Sequence, residues 1–91
     1  MSIPLATKDP NAILTYGFDY TDWLDTGDAL ATSVWTVPVG ITDVSEAASP
    51  TITSVKVSGG TLGKSYEIVN DITTTKGLTE RRRIVIEIQK R

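Results

Sequence analysis

Arg82-Arg83-Ile84-Val85-Ile86-Glu87-Ile88 alternates with a period of two: Ile84, Ile86 and Ile88 fall on one face, Arg83, Val85 and Glu87 on the other. β-branched residues at this density lose side-chain freedom in a helix and pack well on a pleated surface, so the stretch reads as a half-buried strand. Arg81 and Arg83 share the outer face with Glu87, and Arg82 lies on the isoleucine face near its end. The same alternation runs through Leu14, Tyr16, Phe18 and Tyr20, and again through Tyr66, Ile68, Asn70 and Ile72, each run closing on a Gly-, Asp- or Thr-rich break.

Between these runs, residues 28–37 and 51–57 are also strand-like, the first stopping at Pro38, and residues 40–46 are a weaker candidate. Turn signals stand at Asp25-Thr26-Gly27-Asp28, Pro38-Val39-Gly40, Ala48-Ser49-Pro50, Ser58-Gly59-Gly60 and Lys76-Gly77. No helical stripe of useful length interrupts them. Six to seven short antiparallel strands in about 80 residues predict a single all-β domain over residues 12–91, an immunoglobulin/fibronectin-like β-sandwich, with a small open barrel as the alternative. Residues 1–11, with Pro4 and Pro10, read as an extended N-terminal arm, disordered alone or ordered against a neighbouring subunit.

Composition bounds the chemistry. A chain of 91 residues with 40% hydrophobic and 22% charged residues makes one modest core, and a domain this small gains from docking on a partner. It has neither cysteine nor histidine, which removes disulfides, thiolate chemistry, the commonest general base and the commonest zinc ligand. The N-terminus has no apolar run of signal-peptide length, and no segment is long and apolar enough to span a bilayer as a helix, so a soluble protein that meets no membrane is expected. Charge is unevenly placed: Lys8 stands against seven carboxylates in residues 1–50, whereas residues 51–91 carry eight basic residues against four acidic ones. Such polarity suits attraction between strands or between copies; two ordinary solvated faces are the plainer reading.

Four constellations invite a site. Ser58-Gly59-Gly60-Thr61-Leu62-Gly63-Lys64-Ser65 approaches the phosphate-loop pattern, but Ser58 stands where the first glycine belongs and a strand follows where a helix is required. Asp19, Asp22, Asp25 and Asp28 are spaced by three, which matches no calcium loop and points alternate ways in an extended chain. Arg81, Arg82 and Arg83 lack interleaved aromatics and sit in an acidic chain, so they read as edge protection or a polar partner contact, not as a nucleic-acid site. Among the aromatic residues, Trp35 and Phe18 are assigned to the core, and Trp23, at the acidic turn, is the best exposed contact residue. The expected partner surface therefore comprises Trp23, Asp22, Asp25, Arg81, Arg83 and Arg91, with no catalytic, metal or cofactor residues.

The order of these pieces resembles a known family. Lys8-Asp9-Pro10, then LTYGFDYTDWL at residues 14–24, Gly27-Asp28-Ala29-Leu30, Ser33-Val34-Trp35-Thr36-Val37-Pro38, SGGTLGKSY at residues 58–66 and a Thr-rich strand ending near Gly77 are together similar to the small fibre-to-tail adaptor proteins of tailed bacteriophages. The resemblance covers nearly the whole chain, though residues 39–49 carry no such signature. It implies an immunoglobulin-like structural virion protein without catalysis or cofactor, made in the host cytoplasm and placed on the phage tail or baseplate. There it would contact tail and tail-fibre proteins in several copies. A head or collar decoration protein of the same fold and a carbohydrate-binding module for host surface glycan are the alternatives. Within such a sandwich, Tyr66 after the glycine-rich turn is expected to place its hydroxyl against the backbone.

Overall fold

The computed structural model describes residues 5–90. Its strands are β1 (Leu5–Lys8), β2 (Leu14–Asp19), β3 (Leu30–Thr36), β4 (Ile41–Ala48), β5 (Ile52–Gly59), β6 (Ser65–Thr74) and β7 (Thr79–Ile88). They form two sheets, β1-β7-β6-β3 and β2-β5-β4, packed as a sandwich. This is the immunoglobulin-type arrangement, with the first strand lying beside the last. The all-β sandwich expected from the alternation is therefore the fold observed.

Alternation decides which side chains meet between the sheets. Tyr66, Ile68, Ile86 and Ile88 point inward from the four-stranded sheet and meet Val55 and Val57 from the other, with Trp35 and Ile41 completing a buried cluster, and Ile72 is buried further along β6. Each fully buried isoleucine or valine contributes about 1.5–3 kcal/mol relative to exposure. Phe18 stacks on Trp35 with centroids 5.8 Å apart and planes 13° from parallel, so both take the core role assigned to them.

A buried polar hub binds the two layers together. Asn70 on β6 is fully buried; its Oδ1 accepts from Tyr20 Oη and from Thr53 Oγ1, both at 2.8 Å. Its Nδ2 donates to Ser33 Oγ at 3.0 Å and to the Val34 carbonyl at 3.3 Å. A single amide thus ties β3, β5, β6 and the end of β2, and its inward polar group is satisfied.

Residues 5–8 differ from the expectation of an arm outside the strand pattern: they pair in parallel with β7, from Leu5 opposite Val85 to Lys8 opposite Ile88. A four-residue strand has too few positions to display a period, and its partner lies some eighty residues away, so no local signal marks it. Parallel pairing also departs from the otherwise antiparallel scheme. Lys8 ends the strand fully buried, its ammonium donating to the Gly59 carbonyl at 2.7 Å and the Asp9 carbonyl at 3.0 Å. Burial pushes its pKa down, and the neighbouring Asp9 charge opposes part of that shift. Residues 1–4 of the expected arm lie outside the described residues.

The glycine-rich stretch after β5 is a turn that brings Tyr66 into the core. The Thr61 N–H donates to Tyr66 Oη at 3.0 Å, the backbone contact expected of this tyrosine. Gly40 lies over the same ring with φ +104°, and a Cβ there would stand 2.9 Å from Tyr66 Cε1. Gly60, at φ +102°, bonds its N–H to the Gly40 carbonyl at 2.9 Å, and a Cβ there would stand 2.7 Å from Ile88 Cγ1 and force that side chain to move. The lysine and serine that suggested a phosphate loop are exposed at the start of β6.

Strand β4 reaches Ala48, longer than its weak sequence signal, because a register shift between Asp43 and Ser45 breaks the period. Beyond that bulge, residues 44–48 are exposed on both faces.

Candidate interaction site

The connection of residues 20–29 crosses one end of the sandwich. Both the Trp23 and the Leu24 N–H bond to the Tyr20 carbonyl at 3.0 Å, winding the chain into a tight turn at the end of β2. That turn sets Trp23 edge-on against Tyr20, with centroids 6.0 Å apart and planes at 72°. Tyr20 in turn meets Phe18 at 6.3 Å, so an aromatic chain runs from the surface to Trp35 in the core. Trp23, expected at the surface, is half-buried: one edge is fixed against the fold and the rest is accessible.

Arg82 closes the other side of this cluster. Its guanidinium sits 4.3 Å from the Tyr20 ring centroid and its Nη1 donates to the Asp19 carbonyl at 3.4 Å. Burial pushes the Tyr20 phenol up to about 12, against the opposing pull of Arg82, so the hydroxyl stays protonated and keeps donating to Asn70.

The four aspartates have separate tasks. Asp19 holds the Thr21 hydroxyl and N–H, and that hydroxyl bond keeps its carboxyl below the usual range. Asp28 turns inward: burial pushes its pKa up, but bonds from Thr75, Thr74, Ala29 and Lys76 outweigh that and hold it at about 2. It staples the connection to the turn between β6 and β7. Asp22 and Asp25 remain exposed beside Trp23. Acidic spacing of three thus serves turn geometry, and the two middle carboxylates are those open to a partner.

Arg81 and Arg83 project from the outer face of the four-stranded sheet. Arg81 Nε pairs with Asp71 at 2.7 Å, a contact that raises its pKa, and Arg83 Nε lies 3.6 Å from Glu67. Both pairs are exposed and contribute little to stability. Beside them is a shallow depression of about 310 Å³ lined by Thr32, Val34, Asp71, Thr73, Thr79 and Arg81. Arg82, which the sequence placed on the inward face, links the two regions: its chain neighbours are the outward arginines, and its own side chain reaches Tyr20. The turn bearing Trp23, Asp22 and Asp25 thus adjoins Arg82 through Tyr20, whereas Arg81 and Arg83 stand on the outer face of the sheet with Asp71 and Glu67. Arg91 lies outside the described residues.

The inner face of β4 was missed by sequence reasoning. Asp43 is opposite Val57 and Glu46 opposite Val55, so both carboxylates point to the side of the core valines. The hydrogen bond from one carboxyl to the other, with burial and the Asp43 charge adding to it, pushes Glu46 up to about 7. A spacing of three would put these residues on opposite faces of a regular strand; the bulge is what unites them, and it leaves no trace in the period.

The fold and these exposed groups define a small immunoglobulin-type β-sandwich with aromatic and charged side chains open at its surface. The chain belongs to the podophage GP4 fiber-tail adaptor protein gp77 family, whose model matches residues 8–87. The resemblance in the ordered motifs from Lys8 to Gly77 is thereby borne out. A comparison with curated proteins gave no match.

Proposed function

We propose that this chain is a structural component of a phage virion that joins a tail fibre to the tail or baseplate and catalyses no reaction. The observation that carries the reading is membership of the fiber-tail adaptor family across residues 8–87. The disposition of the polar groups supports it. Lys8, Asp28, Asn70 and Tyr66 are each engaged in holding strands and turns together. What remains outward is a set of contact groups on a rigid body 43 Å long.

One interface spans the end bearing Trp23, Asp22 and Asp25 and extends to the outward Arg81 and Arg83 of β7, with Arg91 further along the chain. An anchored aromatic rimmed by charge is the arrangement in which few residues dominate binding. The chain works in several copies set by virion symmetry, is made in the host cytoplasm, and engages neither nucleic acid nor membrane.

Mass spectrometry of purified particles, with labelled-subunit electron microscopy, tests this. The expected result is a signal at the tail where the fibre attaches. Absence from particles, or labelling confined to the head, overturns the reading. For the interface, Trp23→Ala is expected to weaken binding to one of the two neighbours by about tenfold or more without loss of fold.

A further inference from the structure

An adaptor needs a second interface, and the strand that differs most from its neighbours is β4. The outer strands β2 and β3 each turn alternate side chains toward the core. Beyond its bulge, β4 does not: Glu46 and Ala48 face the core side yet remain exposed, and Val44, at the bulge, is 49% exposed. Residues 44–48 form a strand with one edge and both faces open, attached through the β5 ladder alone.

The direction of its free backbone groups follows from the hairpin. The Ser49 N–H bonds to the Ile52 carbonyl at 2.8 Å, so by antiparallel alternation Ala47 and Ser45 face β5, while Ala48 and Glu46 direct their N–H and C=O groups outward. On the inner side of this edge stand Asp43 and Glu46. Among the described residues, the ion pairs Arg81 with Asp71 and Arg83 with Glu67 lie on the other sheet. Lys56, opposite Ser45, shares that residue's outer face and not the face of the carboxyl pair.

Resting on the adaptor reading, we propose that β4 is the second docking edge: it accepts an extended strand of the other partner, which places a lysine or arginine against Asp43 and Glu46. Main-chain bonds from Glu46 and Ala48 supply pairing, and the carboxyl pair selects a basic strand over a neutral or acidic one. The bulge and the inward carboxylates keep copies of the chain from pairing through this edge, since each would bring the same acids together.

The test uses purified full-length chain with the cognate tail and fibre proteins, each titrated separately, together with hydrogen exchange on the complexes. Wild type is expected to bind both, with slowed exchange at Glu46 and Ala48 in one complex. Ala48→Pro removes an outward N–H that the β5 ladder does not use and is expected to weaken that binding by about tenfold, leaving binding at the Trp23 end unchanged. The double variant Asp43→Asn/Glu46→Gln keeps the backbone and is expected to weaken it by about three- to tenfold, with a flatter salt dependence. If Ala48→Pro fails to fold, the double variant and the exchange data decide. Unchanged affinity in the double variant, or unprotected Glu46 and Ala48 amides in both complexes, overturns the edge proposal while leaving the adaptor reading intact. Wild-type chain that binds neither protein overturns both.

Discussion

Asn70 shows how much one residue holds in a core this small. It accepts two hydroxyl hydrogens and donates twice, and its neighbours Tyr20 and Thr53 are as fully buried as it is. Asn70→Ala leaves those hydroxyls without their acceptor in a dry setting, so a loss of about 2–4 kcal/mol is expected in denaturant unfolding. Tyr66→Phe removes a single contact, the acceptor of the Thr61 N–H at the edge of the core. Its expected cost is about 1 kcal/mol, and equal losses for the two variants would contradict the hub role. Glu46 supplies a pH signature of opposite sign to ordinary acid denaturation. Its folded pKa is raised to about 7, so the folded chain binds that proton more tightly than the unfolded chain does. The contribution is complete below the ordinary carboxylate range and is lost as pH rises through about 7. Melting temperature measured from pH 5.5 to 8.5 should therefore contain a downward component that Glu46→Gln abolishes. Asp28, held at about 2, has no such effect in that window, because a depressed carboxylate loses its contribution only as pH falls toward 2.

Among the elements, β1 is the one whose removal has the clearest consequence. It covers residues 85–88 of β7, receives the Gln89 N–H on the Lys8 carbonyl at 2.9 Å, and plugs the strand end with the Lys8 ammonium. Deleting residues 1–8 should lower stability and speed amide exchange at Val85, Glu87 and Gln89, whereas a detachable arm would leave both unchanged. This strand also marks where sequence reading stops. The strands β2, β6 and β7 were legible because each turns a long alternating row onto a core, and the inward placing of Phe18, Tyr66 and Arg82 agrees with their phase; Trp35 was assigned to the core because so small a sandwich needs its aromatics there. Short β1 offered no period, and β4 offered a broken one, so the parallel pair and the union of Asp43 with Glu46 depend on tertiary contacts that no local window contains. For the contact surface, Trp23 was visible as an aromatic among turn residues. Its fixed edge against Tyr20, and the role of Arg82 in bracing that ring, required the fold.

At the scale of the whole molecule, charge divides between groups that brace the fold, such as Lys8 and Asp28, and groups left exposed. Among the described residues, both ion pairs join β6 to β7 within the basic C-terminal half. Asp22 and Asp25 remain open at one end, and Asp43 and Glu46 line a strand edge. Exposed charges of this kind influence encounter rate and partner choice more than stability, and they act over a range that salt shortens from about 14 Å at 50 mM to about 4 Å at 500 mM. Bridging of tail and fibre proteins by this chain should accordingly weaken by at least about tenfold between those salt concentrations in sedimentation or interferometry, while its melting temperature changes little. On the two-interface proposal, Asp22→Asn/Asp25→Asn should flatten the salt response of one contact and Asp43→Asn/Glu46→Gln that of the other. If one double variant flattened both responses, the two acidic regions would form a single interface, and an adaptor built on two separate surfaces would have to be abandoned for this chain.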